Sequence, residues 1–102
     1  MKLTKLNDCI KNPDGTPTTL TLKLMLGGML ANTPQANMAD AERAVVIKNK
    51  MLEAKSDLEI LAEDYVFVKK TLERAVGNYA PDVAVQLYQY LLGVDKVEKE
   101  DK

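Results

Sequence analysis

The chain has no histidine and no tryptophan, a single cysteine, Cys9, and a single phenylalanine, Phe67. Each absence removes a class of chemistry. Without histidine, no Ser-His-Asp or Cys-His arrangement can be assembled, and the Cys9 thiol has no imidazole to activate it. One thiol and no imidazole cannot make a zinc site. A lone cysteine forms no internal disulfide and points to a reducing compartment. There is no glycine-rich phosphate loop. The longest apolar stretch, residues 24–31, is far below the about 20 residues of a membrane span. Residues 1–8 lack an apolar run of signal-peptide length.

The carboxylates do not fill the gap. They cluster at Glu63-Asp64 and at 98–101, and neighbours in sequence do not share a helix face. A pair such as Asp57 with Glu63 has groups suited to acid–base work, but no spacing singles it out. The expectation is a protein that is not an enzyme and holds no metal or cofactor.

What is present describes an ordinary soluble domain. The 102 residues suffice for one domain, and 46% apolar with 28% charged residues is globular composition. The aromatics are Tyr65, Phe67, Tyr79, Tyr88 and Tyr90, so the core must be mainly Leu, Val, Ile, Ala and Met. A net charge of −1 gives no general attraction to nucleic acid or anionic lipid. The charge is uneven: residues 1–55 carry eight basic and five acidic groups, a net of +3, and residues 56–102 carry six and ten, a net of −4.

Along the chain, Leu3, Leu6 and Ile10 suggest a strand among the first ten residues. Pro13-Asp14-Gly15 is a turn, with 18–20 returning as the second arm of a hairpin. Residues 20–31 read either as a strand, from alternation at Leu20, Leu22, Leu24 and Leu26, or as a helix capped by Thr21. The helix is favoured, with Gly27-Gly28 marking close packing or a bend. A second helix, capped by Asn37, runs to about Ala54 with Ala41, Ala44, Val45, Ile47, Met51 and Leu52 on its apolar face. Residues 56–61 form an extended link able to pair with the N-terminal hairpin. A third helix opens at 62–64 and buries Tyr65, Val68, Leu72, Ala75 and Val76. A fourth starts at Pro81, buries Val83, Ala84, Leu87, Tyr88, Leu91 and Leu92, and ends at Gly93. The fold class expected is mainly α (α+β), a small N-terminal β-hairpin followed by a four-helix domain. Residues 1–94 make one globular domain and 95–102 a charged, disordered tail.

With catalysis excluded, interaction surfaces are the best candidates. Tyr88 and Tyr90 flank one residue, so their rings point to different sides of a helix, and Phe67 lies outside the stripe of its own helix. Tyrosine suits an interface because its ring buries area while its hydroxyl stays wet. Lys69, Lys70 and Arg74 offer cations beside them. Phe67, Tyr88, Tyr90, Lys69, Lys70 and Arg74 are therefore the candidate partner-binding residues. Phe67→Ala or Tyr90→Ala is expected to weaken binding with the fold near intact. Lys48, Lys50 and Lys55 add a second basic stretch, without the interleaved aromatics of a nucleic-acid surface.

The order of elements carries a resemblance. An Asp-Gly turn leads to Leu20-Thr21-Leu22 opening a helix with Met25-Leu26 and Met29-Leu30-Ala31. Later come Leu58-Glu59-Ile60-Leu61-Ala62-Glu63-Asp64, a Lys-rich helix, and Tyr79-Ala80-Pro81 before a Leu-rich helix. This resembles a family of small phage- and prophage-encoded proteins, over nearly the whole chain but with no catalytic motif. The resemblance implies a setting in a bacterial cytoplasm, with packaging in a virion as the variant. The leading expectation is a binding protein that docks on a host or phage protein and alters its activity. The alternatives are a morphogenesis component that self-associates and a DNA-binding regulator using Lys48, Lys50, Lys55, Lys69, Lys70 and Arg74. A homo-oligomer is compatible with the composition; nucleic acid is disfavoured and a membrane is not expected.

Overall fold

A computed structural model describes residues 1–100, with side chains as far as Val97. In chain order the elements are β1 (Lys2–Leu3), β2 (Cys9–Lys11), β3 (Pro17–Thr21), α1 (Leu22–Asn32), α2 (Met38–Glu53), β4 (Leu58–Glu59), α3 (Ala62–Ala75) and α4 (Pro81–Glu100). A 3-10 turn, Val76–Asn78, joins the last two helices. The architecture is mainly α, with a small N-terminal β element, as the patterning predicts. Among the described residues no helix is long and apolar enough to cross a membrane.

The hairpin forms where the turn chemistry places it. β2 and β3 are antiparallel, Cys9 opposite Thr21 and Lys11 opposite Pro17. Gly15 takes φ +89°, a conformation that L side chains avoid, and its N–H donates to the Asn12 carbonyl at 2.9 Å. The Thr16 backbone N–H and hydroxyl donate to Asp14 Oδ1 at 3.0 and 2.6 Å. Those bonds hold the Asp14 carboxyl below its usual range.

The first ten residues are two strands rather than one. The chain turns back after β1 through Lys5, at φ 56°, with the Asp8 N–H donating to the Lys5 carbonyl. This separates β1 from the hairpin. The extended link at 56–61 supplies β4, which pairs antiparallel with β1, Lys2 opposite Glu59 and Leu3 opposite Leu58. The reversal lets Leu3, Leu6 and Ile10 all point inward.

Side chains at the helix starts match the sequence. Thr21 Oγ1 accepts from the Leu24 N–H at 3.3 Å, which settles residues 22–32 as helix. Asn37 Oδ1 accepts from the Asp40 N–H at 2.9 Å. α3 has no side-chain cap, and Glu63 and Asp64 in its first turn offset the helix dipole instead. Gly27 is buried because α1 and α2 meet there: a Cβ on it would stand 3.1 Å from Leu52 Cδ2. The core is continuous across Leu26, Met29, Leu30, Ile47, Met51, Val68, Leu72, Leu87 and Leu91.

Five features differ from the sequence reading. α2 buries Ala44, Ile47 and Met51, whereas Val45 is exposed and Leu52, at the edge of the contact where it packs on Gly27, stays 42% exposed. Val76 leaves the buried face of α3 because the chain tightens into the 3-10 turn after Ala75. The inward stripe of α4 is Ala84, Leu87, Leu91 and Val94, which leaves Leu92 outside it. Gly93 does not end that helix. Burial of Val94 beyond it outweighs the about 1 kcal/mol a helical glycine costs. Of the expected tail at 95–102, residues 95–100 continue α4, and 101–102 lie outside the described residues.

Candidate protein-binding surface

α3 and α4 lie side by side, and their two edges differ. On the inner edge the buried Tyr65 hydroxyl donates to the Leu91 carbonyl at 2.8 Å. Burial, reinforced by the charge of Asp95, pushes the Tyr65 phenol above its usual range. On the outer edge a groove of about 540 Å³ runs between the helices, lined by Leu72, Glu73, Val76, Ala84, Val85, Tyr88, Gln89 and Leu92. Its rim is apolar and open to solvent: Val76 is 53%, Val85 51% and Leu92 40% exposed. Exposed apolar side chains are common singly. Three around one groove make a contiguous patch of the kind that marks an interaction site.

Half of the expected binding residues belong to this edge. Tyr88 lines the groove, and the Lys69 ammonium lies 5.5 Å from the centre of its ring, a cation–π contact. Lys70 is exposed beside Lys69. Both lysines line a second hollow with Val66 and Glu73, and Glu73 is common to the two. The edge therefore presents an apolar groove and, next to it, a hollow where Lys69 and Lys70 stand with Glu73 and Asp95.

The other half is used by the fold. Phe67 is half-buried against the core, with the Arg43 guanidinium 5.7 Å from its ring centre. Arg43 is held in turn by Asp64 at 3.8 Å. The Tyr90 hydroxyl donates to the Thr4 carbonyl at 2.6 Å. Its pKa is raised by burial first, then by the charges of Asp57 and Asp8. Arg74 donates to the Pro34 carbonyl at 2.9 Å and to Gln35 Oε1 at 2.7 Å, fastening the α1–α2 loop to the end of α3. The basic run Lys69, Lys70, Arg74 is thus pulled two ways, toward Tyr88 and toward that loop, and does not make one patch.

The sequence reading missed Val76, Val85 and Leu92. A signal existed. Val85 and Leu92 are seven residues apart on a helix whose inward stripe is already complete without them, and a second apolar line at heptad spacing implies a second partner. A smaller exposed apolar group, Met38, Val45 and Val46, lies on α2 around a shallow hollow.

Cys9 is exposed. Among the described residues no three His, Cys, Asp or Glu side chains gather where a metal ion could sit. No family model matches the chain, and neither the curated proteins nor the solved structures give a match.

Proposed function

We propose that the chain is a small, non-enzymatic protein-binding module that docks on another protein through the outer edge of α3 and α4. The observation that carries this reading is the apolar groove between Val76, Val85, Tyr88 and Leu92. Its shape suits an apolar helix of the partner, laid along the groove with an acidic side chain toward Lys69 and Lys70. The resemblance to small phage-encoded proteins supplies the setting: a bacterial cytoplasm or a virion, with a host or phage protein as the target whose activity is altered. A second reading, an assembly component that self-associates, is favoured by the charges along α4 taken up below.

The test is affinity capture from bacterial lysate with the wild-type chain and with Leu92→Glu in parallel, followed by titration of any captured protein in pure form. A stoichiometric partner that binds the wild type directly and loses at least about tenfold in affinity to Leu92→Glu supports the reading. A partner that binds both chains equally places the interface elsewhere and overturns it.

A further inference from the structure

The groove raises the question of which apolar helix fits it, and α4 itself answers in the pattern of its exposed side. Val85, Tyr88 and Leu92 follow the spacing of the two core positions of a heptad, three and four residues apart. Along one flank of that line run Asp82, Gln89 and Lys96, spaced by sevens and all exposed. The opposite flank, Ala84 and Leu91, is buried in the protein's own core. The exposed side of α4 is thus a short coiled-coil seam with one free flank.

We propose that the chain pairs with a second copy of itself along this seam, α4 against α4, antiparallel, with Gln89 at the two-fold axis. This rests on the reading of the outer edge as a docking surface and makes a second copy its occupant in the free protein, weakly enough held to give way to a target that binds more tightly. In an antiparallel pair the same flank of each helix faces the other. Asp82 and Lys96 lie about 10 Å to either side of Gln89 along the helix axis. Each Asp82 therefore meets the Lys96 of the second copy, and the two Gln89 amides meet each other. On the apolar line, Leu92 of one copy falls between Val85 and Tyr88 of the other. A parallel pair would instead need this flank to face the Ala84 and Leu91 flank of the second copy, which is buried in that copy's own core, so only the antiparallel orientation brings two free flanks together, and their charges are then complementary. The isologous arrangement closes on itself and yields a dimer, not a filament. The seam is short beside the roughly 800 Å² per partner of a standard interface, so the dissociation constant expected is roughly 10–100 µM.

Sedimentation equilibrium over a concentration series tests this with four variants, each first checked for helix content and melting. Leu92→Glu should weaken dimerisation by at least about a hundredfold, since it places a charge in the centre of the seam. Asp82→Lys and Lys96→Asp alone should each weaken it by about tenfold, because two attractive contacts become two repulsive ones. The double swap, Asp82→Lys with Lys96→Asp, should restore it. The double variant carries every helix-dipole penalty of the single ones, so its recovery separates pairing from folding. A wild type that stays monomeric up to about 1 mM overturns the dimer. So does a dimer indifferent to Leu92→Glu, or a double swap that stays as weak as the singles. If the wild type is monomeric yet Leu92→Glu abolishes binding of a captured partner, only the identity of the occupant is wrong and the binding-module reading stands.

Discussion

The two flanks of α4 are built on opposite principles. On the side that meets the N-terminal strands, polar side chains reach across to backbone. Gln86 accepts from the Lys11 N–H at 2.7 Å and donates to the Lys11 carbonyl at 2.8 Å, closing the free edge of β2. Tyr90 does the same for the Thr4 carbonyl. On the other side Val85 and Leu92 are exposed, and Tyr88, half-buried with Lys69 over its ring, continues their apolar line into the groove. Hydrogen bonds to backbone fix one geometry and leave nothing for a partner, whereas bare apolar area is unspecific until another surface covers it. The first flank spends its chemistry on the fold, and the second leaves its apolar surface open for the association proposed above.

The sharpest way to break this contrast is to truncate between the two flanks. Leu87 is fully buried in the core. Leu87→Ala should cost about 2–5 kcal/mol in urea unfolding at a concentration where the chain is monomeric. If the loss is under about 1 kcal/mol, the core is looser than its burial implies and the contrast between inside and outside fails.

Next in size is the polar flank. Gln86→Ala and Tyr90→Phe should each destabilise by about 1 kcal/mol, the worth of a hydrogen bond to backbone. Tyr90 adds a pH signature. Its folded pKa lies above the usual 10.0, so folding favours the protonated phenol. The stability it contributes is complete below pH 10 and is lost as pH rises through the folded value. Unfolding midpoints followed from about pH 8 to about pH 11 should fall, and fall less steeply in Tyr90→Phe. Tyr65 and Tyr79, also raised by burial, supply the slope that remains. An identical slope in both chains would detach Tyr90 from the fold and return it to the surface role its spacing suggested.

That suggested role shows where legibility stopped. The local signals were all readable: Pro13-Asp14-Gly15 as a turn, Thr21 and Asn37 as caps, Pro81 as a helix start. Each acts within a few residues and depends on nothing remote. The inward residues Ala44, Ile47, Leu72, Leu87 and Leu91 were readable because helical period alone selects them. The pairing of the 56–61 link with the N-terminal segment was readable too, but most of what distant side-chain contacts set was not. Tyr90 lies 86 residues from Thr4, and no pattern near position 90 announces a carbonyl at position 4. Gly93 reads as a stop by propensity and is overridden by the burial of Val94. Of the candidate binding residues, Tyr88, Lys69 and Lys70 came together by virtue of helix adjacency, whereas Phe67, Tyr90 and Arg74 were claimed by contacts the sequence does not display.

Gly93 offers a smaller test between the two flanks. A Cβ there would meet nothing within 4 Å. Gly93→Ala should therefore stabilise the monomer by about 0.5–1 kcal/mol through helix propensity and the entropy of the unfolded chain. A loss instead would mean that α4 bends at this point and uses the glycine to do so.

The smallest expected effect on folding is the most informative about the open flank. Val85→Ala removes two methyl groups from a side chain that is 51% exposed. The burial lost is about 0.8 kcal/mol. Replacing a β-branched residue by alanine in a helix returns about 0.6 kcal/mol. The two nearly cancel, so unfolding of the monomer should move by less than about 0.5 kcal/mol. Val85 nevertheless faces Leu92 of the second copy in the proposed seam, where the same truncation has no compensation and the dimer should weaken several-fold. A residue silent in folding and felt in association belongs to a surface kept for a partner. If Val85→Ala destabilises the monomer by 2 kcal/mol or more, a magnitude of about that size marks a core position, and the open flank of α4 is part of the fold after all.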